Sequence, residues 1–172
     1  MTEVPVLTTE RLVLRGHRRT DFAPYVAFYA SDRAEHIGGP KSEAEVWQIF
    51  AAEPGHWALK GFGWWMVEAE GAPIGTVGLH HPPKNPEVEI GWTLFAEAEG
   101  RGYAREAAEA ALAWGLRHVR PASLVSYIAP ANDRSIGFAK RLGAVWDEAA
   151  VRPATAPSIH VYRHTVPNTA AA

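Results

Sequence analysis

The sequence predicts a mixed α/β domain built around one central sheet. Strand-like runs alternate with helix-like runs along the chain, and no repeat or internal linker interrupts them. A chain of 172 residues is long enough for one domain with a sizeable core. Its apolar share of 47% and charged share of 21% are typical of a soluble globular protein. We therefore expect a single domain over residues 1–167 and a disordered tail over 168–172.

Seven short runs have the apolar, β-branched and aromatic composition typical of strands. In chain order they cover residues 12–14, 63–68, 73–79, 87–94, 123–128, 145–146 and 159–163. Turn residues at 70–72 separate the second run from the third, and three prolines between 82 and 86 mark a loop before the fourth.

Four helices are predicted from capping residues and from the runs that follow them. Asp21 is the expected N-cap of a helix over about 22–30, and Ser42 with Glu45 has the spacing of a capping box. The other two are an Ala-rich helix over about 105–117 and a shorter helix that Asn132 or Asp133 begins and Gly143 ends.

The composition disfavours several classes of function. Seventeen basic and nineteen acidic side chains give a formal charge of −2, so no general nucleic-acid footprint is visible. No apolar run approaches the length of a membrane span, and the first residues lack a signal pattern. The absence of cysteine excludes disulfides, thiolate metal sites and a cysteine nucleophile. We expect a cytoplasmic enzyme or binding protein without metal, nucleic acid or membrane partners.

The most informative motif is the loop at residues 99–104, which joins a predicted strand to the Ala-rich helix. Gly100 and Gly102 allow a tight backbone path that leaves N–H groups unpaired at the positive end of the helix dipole. Such a site suits phosphate, although many αβ loops carry glycine only for the turn. The sequence has neither a Gly-Lys-Ser/Thr element nor a six-residue Rossmann fingerprint, which disfavours a nucleotide-binding enzyme.

Several motifs, in the right order over about 150 residues, resemble the GNAT superfamily of acyl-CoA-dependent N-acetyltransferases. They are LTTERLVLR at 7–15, IGTVGL at 74–79, VEIGW at 88–92, GRGYAREA at 100–107, NDRS at 132–135 and KRLGA at 140–144. The chain looks most like the RimJ/RimL-type branch, which acetylates ribosomal-protein N-termini and many small amines. The resemblance implies an α/β (α+β) GNAT fold. Its sheet would be central, mixed, mostly antiparallel and twisted, with about seven strands splayed mid-sheet and about four helices.

The same resemblance implies acetyl-CoA as the donor, bound at the splay between the strand ending at Leu94 and the strand over 123–128. A bulge in the first of these strands is the usual device for such a splay. The pantetheine arm would pair with backbone, and the pyrophosphate would bind the amides of the glycine loop. The implied cofactor-binding residues are Trp92, Thr93, Leu94, Gly100, Arg101, Gly102, Tyr103, Ala104, Arg105, Asn132, Ser135, Phe138 and Arg141.

Glu99 departs from the family pattern, which often has Gln or Arg at this position. A carboxylate beside a pyrophosphate is electrostatically unfavourable. Because the main chain does the binding, we expect the Glu99 side chain to point into solvent.

Acetylation of an amine by a thioester needs a base for the ammonium, a donor to the carbonyl and an acid near the departing thiolate. The resemblance implies Glu89 as the base, acting directly or through water. His80, at the end of the preceding strand, is the rival, because an imidazole pKa of about 6.5 suits the task. Simple alternation along the strand does not decide which face Glu89 occupies.

The acid stays open between two residues. Many GNAT enzymes carry a tyrosine at the position of Ala139, and the branch that this chain resembles usually lacks it. Ser135, which that branch shares, is one candidate to hold the CoA sulfur, although a serine in the first helical turn also bonds backbone. Tyr127, near the expected splay, is the second.

The acceptor pocket is predicted from aromatic and histidine side chains. Trp47 and Trp57 flank the region where the family builds this pocket, together with His36 and the turn at 38–40, and His80 completes the set. Aromatic walls would suit an apolar or cationic acceptor, although core packing explains the tryptophans equally well.

These expectations make the chain an N-acetyltransferase that moves an acetyl group from acetyl-CoA to a primary amine in a ternary complex. The amine is a protein N-terminus or a small molecule, and a homodimer is a further expectation. The alternative is a non-catalytic acyl-CoA-binding sensor or interaction module, because fold does not fix function.

Overall fold

A computed structural model describes residues 3–166, so the tail expected at 168–172 lies outside the described residues. The described chain forms one mixed sheet with helices, which confirms the α/β class. The strands are β1 (Leu7–Thr8), β2 (Leu12–Arg15), β3 (Trp64–Ala69), β4 (Ala72–His80), β5 (Val88–Leu94), β6 (Leu124–Ile128), β7 (Val145–Trp146) and β8 (His160–Arg163). The α-helices are α1 (Phe22–Tyr29), α2 (Glu43–Lys60), α3 (Tyr103–His118) and α4 (Asp133–Arg141). Short 3-10 helices cover Arg19–Asp21, Asp32–Ile37 and Ala96–Ala98.

Every predicted strand and helix is present, and the eighth strand, β1, is a two-residue edge strand that the sequence prediction missed. Its two residues pair with Leu14 and Val13 of β2. A run this short offers no periodicity to detect.

The sheet order is β1-β2-β3-β4-β5-β6-β8-β7, and the only parallel pair among the described strands is β5 with β6. That pair has only two aligned residue pairs among the described residues, Val88 with Leu124 and Glu89 with Val125. Beyond them the strands separate, and the Ser126 hydroxyl donates a 2.7 Å hydrogen bond to the Ile90 carbonyl. The expected mid-sheet splay therefore begins at Ile90.

The bulge that the resemblance implies for β5 is absent from its pairing with β4. Their register runs without a shift from Gly75–Leu94 to His80–Glu89. The register shift lies instead between β3 and β4, at Val67/Glu68. The divergence of β5 and β6 thus follows from the end of their pairing.

Helices cover both faces of the sheet. Helix α3 packs on the face that carries Trp65 and Leu79, in the largest core cluster. Helices α1 and α2 pack together over the opposite face, where Met66 lies among aromatic side chains. Because successive strand residues face opposite sides, this division fixes which side chains reach the site on the α1–α2 face.

The two predicted N-caps have different outcomes. The capping box is confirmed: the Glu45 N–H donates to Ser42 Oγ at 3.4 Å, and the Ser42 N–H donates to the Glu45 carboxylate at 2.9 Å. Asp21 makes no capping bond to α1. Its buried carboxylate instead accepts two hydrogen bonds from the Arg15 guanidinium, at 2.8 and 2.9 Å, so the ion pair outcompetes the cap.

No helix within residues 3–166 is both long and apolar enough to cross a membrane.

Candidate active site

The glycine loop presents a row of backbone N–H groups. Gly100 and Gly102 have φ angles of 74° and 78°, in the left-handed region that favours glycine, and Gly102 is the N-cap of α3. Within the described residues, the N–H groups of 100–102 make no backbone hydrogen bond. The N–H groups of 103–105, in the first turn of α3, have no acceptor inside the helix. The loop and helix start therefore offer a cradle for an anion.

A cleft of about 490 Å³ opens over this cradle. Of the cofactor residues predicted above, all but Arg101 line it: Trp92, Thr93, Leu94, Gly100, Gly102, Tyr103, Ala104, Arg105, Asn132, Ser135, Phe138 and Arg141. We call it the donor cleft. The charged side chains on its walls are four arginines and one glutamate: Arg33, Arg105, Arg134, Arg141 and Glu99. This excess of positive charge suits a polyphosphate.

Arg101 does not face the donor cleft. Its guanidinium lies over the Tyr103 ring at 4.8 Å and bonds Glu70 at 3.4 Å. Its side chain is thus engaged on the far side of the loop, and the structure does not place Arg101 with the other predicted cofactor-binding residues.

The expectation for Glu99 is met in part. The residue is exposed, but its carboxylate also forms ion pairs with Arg33 and Arg134 in the wall of the donor cleft. The hydrogen bond from Arg33 is the largest cause that lowers the pKa of Glu99. Arg33 lies far from the loop in sequence, so no local pattern could have revealed how the carboxylate is neutralised.

A second cleft of about 590 Å³ adjoins the donor cleft. Their shared lining marks the junction between the two: His36, Ile37, Trp92, Thr93, Asn132 and Ser135. The candidate catalytic residues Glu89, His80 and Tyr127 line the second cleft, which we call the acceptor cleft. The structure therefore brings together candidate groups from separate strands and from the start of α4.

Glu89 faces the acceptor cleft on the same side of β5 as Gly91 and Thr93, whereas Ile90 is fully buried in the core on the opposite side. This settles the alternation that the sequence left open. Its Oε2 accepts a 3.0 Å hydrogen bond from the Asn85 side-chain amide. Burial raises the pKa of Glu89 to about 7, against the opposing effect of that hydrogen bond. A carboxyl with this pKa exchanges a proton readily at neutral pH.

His80 lies directly across from Glu89 in the β4–β5 pair. Burial lowers the pKa of His80 to about 4, and the neighbouring His56 ring, 4.7 Å away, acts in the same direction. The imidazole is neutral at neutral pH but a weak proton acceptor. Of the two rivals, Glu89 has the more suitable basicity.

The two candidate acids differ in how their hydroxyls are engaged. Asn132 Oδ1 accepts from the Ser135 N–H at 3.1 Å, so Asn132 is the N-cap of α4. Ser135 lies at the junction of the two clefts, and its hydroxyl has no hydrogen-bond partner within residues 3–166. The Tyr127 hydroxyl accepts from the Glu87 N–H at 3.2 Å, and burial raises the pKa of Tyr127.

Neither tryptophan predicted for the acceptor pocket lines it. Trp57 is 2% exposed and belongs to the core, where its ring packs against Trp65 at 4.9 Å and its indole N–H donates to the Trp64 carbonyl at 2.9 Å. Trp47 is 54% exposed and packs edge-on against Phe22. Both assignments are therefore corrected, while His36 and His80 do line the cleft.

The acceptor cleft contains residues that sequence reasoning missed, namely Tyr25, Tyr29, Glu53, Trp64 and Asn85. Trp64 covers β5 closely: a Cβ added at Gly91 would lie 2.4 Å from the Trp64 ring. A glycine inside the strand motif VEIGW was the available signal for this close approach. The remaining residues come from α1, α2 and a loop, and nothing local marks them.

Within the part of the chain that the structure describes, no group of three or more His, Asp or Glu side chains is placed to hold a metal ion.

Comparison with known proteins supports the assignment of the fold and family. Residues 11–145 match the family described as "Acetyltransferase (GNAT) domain". The structure of an acetyltransferase from Agrobacterium tumefaciens is 39% identical, covers 95% of each chain and superimposes with a TM-score of 0.89.

Two more distant structures share the fold. RimL, the ribosomal L7/L12 α-N-protein acetyltransferase in complex with coenzyme A, is 14% identical, with coverage of 94% of this chain and 98% of that chain and a TM-score of 0.75. The ribosomal-protein-S5-alanine acetyltransferase from Vibrio fischeri is 18% identical, with coverages of 96% and 98% and a TM-score of 0.70. The chain therefore belongs to the GNAT acetyltransferase family and is an acyl-CoA-dependent N-acetyltransferase.

Proposed function

We propose that this enzyme transfers an acetyl group from acetyl-CoA to a primary amine by direct attack in a ternary complex, with Glu89 as the base. The observation that carries the proposal is the junction of the two clefts. On one side lies an anion cradle built from main chain, and on the other lies a carboxyl with a pKa of about 7. The acceptor is a protein N-terminus or a small-molecule amine.

The residues of the donor cleft fit acetyl-CoA. The N–H groups of 100–105 and the neighbouring arginines suit a pyrophosphate. From Trp92 to Leu94, β5 pairs with β4 but not with β6, and the edge that faces β6 suits hydrogen bonds with an extended pantetheine arm. The Nε of Arg33, a residue of the cleft wall, is buried without a partner among the described residues. Asn132, Phe138 and Arg141 complete the wall. When bound, acetyl-CoA supplies a thioester carbonyl that a neutral amine can attack.

Glu89 has the position and basicity to remove the proton of the incoming ammonium, directly or through water. Asn85 holds one carboxylate oxygen, which leaves the other for the amine or a water. Burial in the wall of the cleft raises the pKa of Glu89 toward neutrality, where a general base is most effective. His80 is retained as the weaker alternative.

Ser135 is the favoured partner for the departing sulfur. It lies at the junction with an unengaged hydroxyl, whereas the Tyr127 hydroxyl already accepts a backbone hydrogen bond. A hydroxyl that donates to a developing thiolate stabilises the negative charge without a change of its own charge. Tyr127 remains the second candidate because accepting one bond leaves its proton free to donate.

Release of free thiol from acetyl-CoA in the presence of a panel of amines tests the proposal. The expected result is steady, amine-dependent release, with each accepted amine gaining the mass of one acetyl group. Binding of CoA without thiol release from any amine would contradict it and would favour a non-catalytic acyl-CoA-binding module.

A further inference from the structure

Glu53, in the middle of α2, is a buried carboxyl without a protein partner. Its residue is 6% exposed, and within residues 3–166 neither oxygen takes part in a hydrogen bond or an ion pair. Oε2 is sealed from solvent and unpartnered. Burial raises the pKa of Glu53 to about 8. Because an unpaired buried carboxyl destabilises a fold, its position calls for a ligand that completes it.

Glu53 lines the acceptor cleft from the opposite side to Glu89, because α2 packs over the face of the sheet to which Glu89 belongs. Tyr25 and Tyr29 of α1 line the same part of the cleft, and their ring centroids are 5.5 Å apart. After burial, the charge of Glu53 is the next cause that raises the pKa of both tyrosines, which places the three side chains together.

A carboxylate beside two aromatic rings is the arrangement that binds an alkylammonium group. The carboxylate forms a charge-assisted hydrogen bond, and the ring faces attract the cation. Among the described residues that line the cleft, the only lysine or arginine is Lys84, and it acts on Glu89. The protein therefore supplies no lysine or arginine to Glu53, so a cation brought by the acceptor is the group that would favour its ionised form.

Glu53, Tyr25 and Tyr29 are absent from the lining shared by the two clefts. Glu89, by contrast, lies on the same strand and face as Thr93, which does belong to that junction. The amine that meets the thioester therefore contacts the β5 side of the cleft. The α2 side can then contact another part of the acceptor.

We propose that Glu53, Tyr25 and Tyr29 form a subsite for a second ammonium group of the acceptor, so that the enzyme acts on aliphatic diamines and related amines with two cationic groups. This inference rests on the proposed function, because the subsite selects among acceptors of the same reaction. One ammonium loses its proton at Glu89 and is acetylated, while the other keeps its charge at Glu53.

Two matched acceptors test the subsite: 1,4-diaminobutane and 4-amino-1-butanol, which has a neutral hydroxyl in place of the second ammonium. Wild type should use the diamine with a KM lower by about tenfold or more, the effect of one charge-assisted hydrogen bond. Diamines of increasing length should show an optimum set by the distance between the two carboxyls.

Glu53→Gln keeps the shape of the side chain and removes its charge. The variant should raise the KM for the diamine by about tenfold and leave the KM for the amino alcohol and both kcat values nearly unchanged. Glu53→Asp, which keeps the charge, should retain part of the preference even if Glu53→Gln folds poorly. Glu43→Gln, an exposed acid at the start of the same helix, is the matched control and should change neither KM.

Calorimetric titration of diamine and amino alcohol into the full chain without acetyl-CoA separates this inference from the proposed function. If no amine releases thiol but the diamine binds in a Glu53-dependent manner, the proposed function fails and the subsite stands. Equal binding of both ligands to wild type overturns the subsite. An equal fall in kcat for both acceptors in Glu53→Gln also overturns it, because Glu53 would then act on the reacting amine.

Discussion

The donor cleft and the acceptor cleft meet along one shared wall, yet they are built from different parts of the polypeptide. The donor cleft rests on main-chain N–H groups of one continuous loop and helix start, at 100–105. The acceptor cleft rests on residues from α1, α2, β3, β4, β5, β6, the start of α4 and several connecting segments. It contains two carboxyls whose pKa burial raises, Glu89 and Glu53. The first site uses charge that the backbone supplies, and the second uses charge held away from water.

This difference has a physical reason. A pyrophosphate is an anion of fixed shape, and unpaired N–H groups at a helix start bind it whatever the side chains are. An amine acceptor arrives as a cation that must lose a proton, so its site needs carboxyls with pKa values tuned by burial. Substitutions in the two clefts should therefore have separable effects.

Glu89→Gln should give the largest difference between the effect on catalysis and the effect on CoA binding. Loss of the base should lower kcat by about 10² to 10⁴, while the Kd for CoA stays within about twofold, because Glu89 does not line the donor cleft. Thiol release and calorimetric titration of CoA measure the two quantities. Glu97→Gln, an exposed acid, is the control. Unchanged kcat in Glu89→Gln would remove Glu89 from the mechanism.

Gly102→Ala should disturb the donor cleft alone. A φ of 78° strains any residue with a Cβ by about 1–2 kcal/mol, and relaxation would turn the N–H groups away from the phosphate. The KM for acetyl-CoA should rise about tenfold with the acceptor KM unchanged. Gly71→Ala, at φ 80° in the β3–β4 turn, imposes the same strain away from both clefts and should lower only stability. A rise in acceptor KM in Gly102→Ala would show that the two clefts are not independent.

Ser135→Ala removes a hydroxyl at the junction of the two clefts and should lower kcat. Removal of one hydroxyl that donates to developing charge should lower kcat by about tenfold. Tyr127→Phe is the companion variant, and we expect a smaller loss because Tyr127 lies outside the donor cleft. If Tyr127→Phe has the larger effect, the roles of the two residues are reversed.

The smallest predicted effect is that of Glu53→Gln on the free energy of unfolding. The raised pKa of Glu53, about 8 against an ordinary 4.5, means that the folded state holds a proton that the unfolded state releases. The contribution of Glu53 to the stability of wild type should therefore be lost as pH rises from about 4.5 to about 8. Glu53→Gln lacks this titration and should be more stable than wild type by about 1–3 kcal/mol at the alkaline end, measured by urea unfolding. A variant less stable than wild type at that pH would contradict a functional origin for the buried acid.

The donor side could be predicted from the sequence to a large extent. The loop at 100–105 and the cap by Asn132 follow from local motifs, whereas the GNAT fold and the splay follow from the family resemblance. The structure brings the predicted residues to one cleft. Arg101 is the exception, because its contact with Tyr103 and Glu70 depends on tertiary packing. Which residue binds phosphate in the enzyme remains a prediction.

The acceptor side could not be predicted in the same way. Trp57 and Glu53 lie on the same helix. The sequence predicts Trp57 for the pocket, with core packing as an equal explanation, and it does not single out Glu53, because glutamate side chains are mostly exposed. In the structure, α2 packs Trp57 against Trp65 and turns Glu53 into the cleft. The sequence of a helix shows which residues share a face, but which element each face packs against depends on the whole fold.

The central claim is that a carboxyl tuned by burial in the acceptor cleft removes the amine proton. The most direct test is the dependence of kcat on pH at saturating acetyl-CoA and amine, for wild type and Glu89→Gln. A base acts in its ionised form, so kcat of wild type should rise with pH through an apparent pKa of about 7, and Glu89→Gln should lose that inflection. An inflection at about 4, the pKa of His80, or one at about 7 that survives in Glu89→Gln, would contradict the account.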